Sequence, residues 1–163
     1  MSALEQHRSY APTTLGFAVV TVSDSRVASN DGSGQLLNEL ISKAQYEVMR
    51  STIVPDEVEV IRSILSENLE VEQVDVIVLT GGTGFAPRDV TVAAIGPLLD
   101  RPIEGFGELF RMLSYRKIGP AAMLSRAVAG VTGRKAVFAL PGSPAAVRLA
   151  MEELILPEAA HLI

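Results

Sequence analysis

Uninterrupted apolar runs alternate along this chain with segments whose apolar residues recur at helical spacing. The runs at 15–22 (LGFAVVTV) and 74–79 (VDVIVL) are typical of strands buried on both faces, and 46–54 alternates like a further strand. Two stretches between these runs predict helices, because their apolar residues form one stripe. The stripes are Leu36, Leu37, Leu40 and Ile41, then Val58, Ile61, Leu65 and Leu69.

The second half of the chain predicts shorter elements. A helix is expected over 89–99, limited by Pro97, then two short helices, a hairpin around Thr132-Gly133-Arg134 and a last helix interrupted by Pro157. Because strands and helices alternate and the early strands are uniformly apolar, the pattern predicts a largely parallel sheet covered by helices on both faces. The short helices are 108–115 and 120–124, the hairpin strands 127–131 and 135–140, and the last helix 145–156.

Composition narrows the classes of function. The chain has 163 residues, 48% of them hydrophobic, and a net charge of −5, which argues against a general nucleic-acid binder. It has no cysteine, and His7 and His161 lie near the termini, so we expect no histidine-based centre and only oxygen-ligated metal. No apolar run is long enough to span a membrane. Residues 1–14 lack a signal-peptide core, so we expect a flexible arm, one domain over 15–163 and a cytoplasmic protein.

A glycine-rich segment, LTGGTGFAPRD at 79–89, follows the third predicted strand. Its glycines and threonines offer backbone N–H groups and hydroxyls that can approach phosphate oxygens closely. Arg88 adds a fixed cation, and Asp89 adds a carboxylate that could hold Mg²⁺. The segment predicts a nucleotide site; the alternative is a strand-to-helix turn that binds nothing.

Four polar clusters come directly after apolar runs, at 23–26, 55–57, 80–89 and 141–144. In an open parallel sheet, ligands bind beyond the carboxyl ends of the strands. The clusters therefore predict a single polar edge where several parts of the chain meet.

Seven motifs together resemble the MoaB/MogA family of molybdenum-cofactor biosynthesis proteins, and the sequence is most similar to the MoaB branch. They occur in the family's order and extend across about 15–156. The motifs are TVSD at 21–24, DGSG at 31–34, VPDE at 54–57, LTGGTGFAPRDVT at 79–91, GFGE at 105–108, LSR at 124–126 and LPGSP at 140–144.

The resemblance implies a three-layer α/β/α fold with a mostly parallel central sheet, and a homotrimer or homohexamer. It implies transfer of an adenylyl group from MgATP to the terminal phosphate of molybdopterin, releasing pyrophosphate. A separate molybdate-insertion protein would receive the product. One alternative is a non-catalytic molybdopterin-binding or partner-binding protein of the same pathway. Another is a nucleotide or pyrophosphate hydrolase, because CinA-like proteins share a similar glycine turn.

The resemblance also implies roles for individual residues. Asp56 and Asp89 match the family's two functional aspartates, and we expect them to be catalytic and to hold Mg²⁺. The expected nucleotide-binding residues are Thr80, Gly81, Gly82, Thr83, Gly84 and Asp31. The expected molybdopterin-binding residues are Ser33, Ser114, Ser125, Arg126, Gly142 and Ser143.

Five of these side chains also have a structural alternative. Asp56 could be a helix N-terminal acid, and Asp89 a helix N-cap worth about 1 kcal/mol. Ser33 and Ser143 could likewise be helix caps, and Arg126 could form an internal ion pair. An apolar set at the pterin side fits core or subunit interface better than a cofactor box; it consists of Met112, Leu113, Met123 and Leu124.

Overall fold

A six-stranded sheet in the order β2-β1-β3-β6-β5-β4 forms the centre of the computed structural model, which describes residues 14–163. β2, β1, β3 and β6 run parallel, β5 pairs antiparallel with β6, and β4 pairs antiparallel with β5, so the predicted mostly parallel sheet is confirmed. The predicted arm lies outside the described residues, apart from Thr14. The strands are β1 (Gly16–Val22), β2 (Glu47–Val54), β3 (Val76–Thr80), β4 (Arg101–Pro102), β5 (Val128–Thr132) and β6 (Lys135–Leu140).

Helices cover both faces of the sheet. They are α1 (Gly32–Lys43), α2 (Val58–Glu70), α3 (Thr91–Ile95), α4 (Glu104–Ile118), α5 (Pro144–Ala150) and α6 (Leu156–Leu162). Two 3₁₀ turns, Gly96–Leu98 and Gly119–Leu124, and a π-helical turn, Met151–Ile155, extend them. No helix within 14–163 combines the length and the apolar character needed to cross a membrane.

Successive side chains of the buried strands enter two separate cores. Phe17 and Val19 of β1 pack with α1, α4 and α5 on one face, while Ala18 and Val20 pack with α2 and α3 on the other. This is the period-two alternation of a strand with both faces buried. Each fully buried leucine or isoleucine, such as Leu37, contributes about 1.5–3 kcal/mol relative to exposure.

Two helices begin at other residues than the sequence predicts. The helix expected over 89–99 is the short α3 followed by a 3₁₀ turn that contains Pro97, and it begins after Val90 rather than at Asp89. The helix expected from 108 begins four residues earlier, at Glu104. Gly105 and Gly107 have low helix propensity, so the sequence did not indicate that the helix begins before them. At Gly107 a Cβ would lie 2.9 Å from the Ala127 carbonyl oxygen, so the helix packs closely there.

The predicted interruption of the last helix at Pro157 is wrong. The helix continues from α5 through the π-helical turn into α6. The Leu156 N–H bonds to the Met151 carbonyl, five residues back, and Pro157 lies directly after this wider turn, in the first turn of α6.

Candidate functional site

The predicted polar edge forms beyond the carboxyl ends of β1, β3 and β6. The chain leaves β1 for β2 on one side and then crosses to β3 on the other, so the strand order reverses between β1 and β3. Ligands in open α/β sheets bind at such switch points. The Ser23 N–H bonds to the Val54 carbonyl at 2.8 Å, and the Gly81 N–H bonds to the Leu140 carbonyl at 3.0 Å. The first bond joins the clusters at 23–26 and 55–57, the second joins those at 80–89 and 141–144, and Ser23, Gly81 and Gly142 line one pocket.

The glycine turn is held in a conformation that requires glycine. Gly81 and Gly82 have φ values of +101° and +65°. A Cβ on Gly81 would lie 2.3 Å from the Val22 carbonyl oxygen, and one on Gly82 would lie 2.4 Å from Thr91 Oγ1. Thr91 anchors the turn from α3: its hydroxyl donates to the Gly81 carbonyl and its N–H to the Gly82 carbonyl.

Asp56 is tied to the loop after β1 rather than to the helix that follows it. Its Oδ2 accepts the Asp24 N–H at 3.2 Å, and its own N–H donates to Asp24 Oδ1 at 2.9 Å. Glu57 occupies the cap position of α2, and the cap makes no side-chain hydrogen bond. Asp56 therefore lies one residue before the cap of α2, and the hydrogen bonds of its carboxylate and N–H go to Asp24.

Asp89 is not a helix N-cap either. That position of α3 belongs to Val90, and Asp89 Oδ2 instead accepts the Ala86 N–H of the preceding turn at 2.9 Å. Within residues 14–163, Asp56 Oδ1 and Asp89 Oδ1 accept no hydrogen bond. Each aspartate thus keeps one carboxylate oxygen for a ligand.

Asp56 and Asp89 line the same small pocket, of about 160 Å³, together with Asp24, Gly82 and Arg88. Partial burial raises the pKa of Asp56 above its ordinary value, and the negative charges of Asp24 and Asp89 raise it further. The hydrogen bond from the Asp24 backbone and the Arg88 guanidinium oppose this shift. The pocket therefore holds negative charge that a cation would relieve.

This raised pKa predicts a gain in stability when the charge is removed. The folded pKa of Asp56 exceeds its unfolded pKa, so ionised Asp56 lowers the free energy of unfolding at neutral pH. The penalty shrinks as pH falls through the folded pKa and is gone below the unfolded pKa. We expect Asp56→Asn, which keeps an acceptor for Asp24, to raise the melting temperature of the ligand-free protein at about pH 7. Thermal unfolding at about pH 7 and about pH 4 should show the gain shrinking with acid. A gain that is absent at neutral pH would contradict this.

A larger cavity, of about 400 Å³, lies on the other side of the glycine turn. Phe110, Ile118 and Leu124 give it an apolar wall, which suits a ring system. Of the residues expected to bind molybdopterin, Ser114, Ser125, Gly142 and Ser143 line it, and the turn supplies Gly81, Gly82, Thr83, Gly84 and Asp89.

The serines of this cavity differ in how they are engaged. Ser143 caps α5, because its hydroxyl accepts the Ala146 N–H at 3.2 Å. The hydroxyl of Ser125 is buried and has no hydrogen-bond partner within residues 14–163. A buried polar group without a partner is costly, so the Ser125 hydroxyl is suited to meet a polar atom of a ligand.

Asp31, Ser33 and Thr80 lie in a third pocket of about 220 Å³, between the loop after β1 and the turn. Asp31 caps α1 through Oδ1 and accepts the Thr21 hydroxyl with Oδ2 at 2.6 Å, so both of its oxygens serve internal bonds. The hydroxyl of Ser33 donates to the Gly142 carbonyl at 2.7 Å, and that of Thr80 donates to the Pro141 carbonyl at 3.1 Å. These three residues fix loops, and the remaining surface of the pocket is available to a ligand.

Arg126 makes no ion pair with a described residue. Its Nε donates to the Thr83 carbonyl at 3.0 Å, and its Nη2 donates to the Gly84 and Asp89 carbonyls. Its guanidinium also lies over the Phe85 ring, 4.7 Å from the centroid. The predicted alternative of an internal ion pair is therefore wrong.

Sequence reasoning missed Asp24 as a site residue. The signal was available, since Asp24 lies in the cluster after β1 and within one of the quoted motifs. Its reciprocal bonds with Asp56 join positions 32 residues apart, and no local sequence pattern predicts such a pair.

The side chains of the small pocket suit a hard divalent cation shared with phosphate. Carboxylate oxygens are the protein ligands that Mg²⁺ prefers, and Mg²⁺ commonly takes one or two of them together with phosphates and water. No group of three or more acidic or histidine side chains within 14–163 is arranged to hold a metal by itself. A cation here would take its other ligands from a bound substrate and from water.

Comparison with known proteins places the chain among relatives of similar length. A family model described as a probable molybdopterin binding domain matches residues 18–161. "Molybdenum cofactor biosynthesis protein B" of Bacillus cereus is 49% identical over 161 residues, which cover 98% of this chain and 95% of that protein. The protein of the same name from Bacillus subtilis is 46% identical over 163 residues, 99% of this chain and 95% of that one.

Solved structures agree with this placement. A crystal structure of molybdenum cofactor biosynthesis protein B superposes with a TM-score of 0.91 at 51% identity, covering 93% of this chain and 95% of that one. The tungsten cofactor synthesizing protein MoaB from Pyrococcus furiosus superposes with a TM-score of 0.84 at 41% identity, covering 93% and 96%.

Proposed function

The chain belongs to the MoaB/MogA family of molybdenum-cofactor biosynthesis proteins, and on that premise we propose that it adenylylates molybdopterin with MgATP. The observation that carries the proposal is the pair of compartments that meet at one glycine turn. Asp56 and Asp89 share a small acidic pocket, and Asp89 also lines the larger, partly apolar cavity. Two anionic substrates, one with a ring system, fit this arrangement.

The reaction requires positioning more than acid–base chemistry. The terminal phosphate oxygen of molybdopterin attacks the α-phosphorus of ATP, the bond from that phosphorus to the bridging oxygen breaks, and pyrophosphate leaves. A phosphate monoester has a second pKa near 6, so the attacking oxygen is largely ionised at neutral pH. The task that remains is to hold two anions in line and to compensate the charge that develops on the phosphate oxygens.

Named residues would perform these tasks. Asp56 and Asp89 would hold Mg²⁺ with the carboxylate oxygens that make no internal bond, and Mg²⁺ would neutralise phosphate charge when bound. Backbone N–H groups of the glycine turn would contact phosphate oxygens. Ser114 and Ser125 would contact polar groups of molybdopterin in the larger cavity. The product would pass to a molybdate-insertion protein.

A turnover assay tests this proposal. Purified protein is incubated with molybdopterin, ATP and Mg²⁺, and adenylylated molybdopterin and pyrophosphate are quantified. We expect equal amounts of both, and neither when Mg²⁺ or molybdopterin is left out. Pyrophosphate release without molybdopterin would support a hydrolase. Tight binding of molybdopterin with no adenylylated product would support the non-catalytic alternative.

The exposed apolar surface of α4 and the following 3₁₀ turn supports assembly into a homo-oligomer. Leu109 and Met112 are about half exposed, and Tyr115, Met123 and Leu124 are more than half exposed. Leu113 is partly buried against the core. The core alternative for the predicted apolar set is therefore wrong for Met112, Met123 and Leu124. Apolar patches of this kind mark contact surfaces, and we propose that a second copy of the chain covers this one.

Charge introduced on this surface should separate the subunits. The double variant Met112→Glu with Met123→Glu places carboxylates where apolar side chains would be buried between copies, and we expect it to be a folded monomer. Light scattering coupled to gel filtration measures the mass. Leu162→Glu, on α6 and also partly exposed, should leave the assembly intact. A double variant with unchanged mass would place the interface elsewhere.

A further inference from the structure

Arg126 lies against the carbonyl side of the glycine turn, although it is distant from the turn in sequence. Its guanidinium donates hydrogen bonds to the carbonyls of Thr83, Gly84 and Asp89. The Phe85 ring covers the flat face of the group. Such a fan of donors in one plane is specific to arginine, since a lysine ammonium has neither the planar fork nor the stacking face.

The direction of these carbonyls determines the direction of the neighbouring N–H groups. In a trans peptide the C=O of one residue and the N–H of the next point in opposite directions, and the described chain has no cis peptide. The N–H groups of Gly84, Phe85 and Val90 therefore point away from the guanidinium. None of the three donates to an acceptor within residues 14–163.

On this geometry we infer that Arg126 is a positioning residue for the nucleotide: it fixes the turn so that free N–H groups are presented to phosphate. The inference rests on the proposed function, because it assumes that the turn binds ATP. It differs from the role that the resemblance implies, in which Arg126 binds molybdopterin directly. Two of the three guanidinium nitrogens, Nε and Nη2, are already engaged by the turn.

The two roles for Arg126 predict opposite changes in affinity. A positioning residue acts through the turn, so Arg126→Met should weaken binding of MgATP by about tenfold or more and leave the affinity for molybdopterin within about twofold. A direct ligand of molybdopterin would give the reverse. A residue with only a structural role would lower the melting temperature without separating the two affinities.

Isothermal titration of MgATP and of molybdopterin, each alone, measures both dissociation constants for wild type, Arg126→Met and Arg126→Lys. We expect Arg126→Lys to resemble Arg126→Met, and millimolar guanidinium to restore part of the MgATP affinity of Arg126→Met. Phe85→Leu removes the stacking partner at an exposed position, so it should fold normally and weaken MgATP by a smaller factor. Arg148→Met, which loses only an exposed ion pair to Glu152, is the matched control.

The outcomes separate the inference from the proposed function. Unchanged MgATP affinity in Arg126→Met and Phe85→Leu, with normal binding by the wild type, overturns the inference alone. Weaker molybdopterin binding with unchanged MgATP binding restores the direct role of Arg126. Failure of the wild type to bind MgATP overturns the proposed function, and the inference with it.

Discussion

Replacing Asp89 with asparagine should lower the rate of adenylyl transfer by at least about 100-fold while the fold survives. The carboxylate of Asp89 bonds to the Ala86 N–H with one oxygen only, and an asparagine can keep that bond. The change removes the negative charge from a pocket in which Asp56 and Asp24 provide the other carboxylates. Weaker Mg²⁺ binding then leaves phosphate charge uncompensated in the transition state.

Asp56→Asn should reduce transfer to a similar extent while raising the stability of the ligand-free protein. This opposite movement of activity and stability is expected of a residue whose charge is held in place for a ligand. Initial rates at saturating MgATP and molybdopterin measure the effect. Asp100→Asn is the matched control, because Asp100 also accepts one backbone N–H, from Gly133 at 2.8 Å, at the opposite edge of the sheet. Full activity in either pocket variant would contradict the metal roles.

Replacing Gly81 with alanine should destabilise the protein by about 3 kcal/mol and abolish transfer. The φ of +101° disfavours any side chain, and the new Cβ would lie 2.3 Å from the Val22 carbonyl oxygen, a backbone atom that cannot move aside alone. Either β1 and β3 separate at their ends or the turn changes shape. In both cases the N–H groups that we propose to bind phosphate move.

Gly133→Ala distinguishes crowding from backbone strain at Gly81. Gly133 has a φ of +59° in the β5–β6 hairpin, and a Cβ there would meet nothing within 4 Å. We expect it to cost about 1 kcal/mol, the strain of a positive φ alone, and to leave turnover intact. Thermal unfolding should show a fall of roughly 6–12 °C for Gly81→Ala and about a third of that for Gly133→Ala. Equal losses in the two variants would contradict the packing argument.

Sequence patterns predicted the elements whose signal is local. The apolar runs located β1 and β3, and the stripes on Leu37 and Ile61 located α1 and α2. β4 was not predicted, because its two residues, Arg101 and Pro102, pair with β5 only through the tertiary fold. The continuation past Pro157 depends on a widened helical turn, which has no signature in sequence.

The location of the candidate site could be predicted from the sequence, but the contacts between its residues could not. Polar clusters after apolar runs predicted one edge, because the carboxyl ends of parallel strands meet there. The tie between Asp24 and Asp56, and the contact of Arg126 with the glycine turn, join positions 32 and about 40 residues apart. Neither follows from spacing. Asp89 was predicted as a possible helix cap because its bond to the Ala86 N–H depends on the shape of the turn, which the sequence does not indicate.

Diffraction from crystals grown with Mn²⁺ and a non-transferable ATP analogue shows whether a metal ion joins the two aspartates to the triphosphate. Manganese replaces Mg²⁺ and gives an anomalous signal that locates the ion. We expect one peak within about 2.5 Å of a carboxylate oxygen of Asp56 or Asp89 and of a phosphate oxygen, with the triphosphate on the glycine turn. A triphosphate bound away from that turn, with no ion between it and either aspartate, would show that neither aspartate holds a metal for the nucleotide.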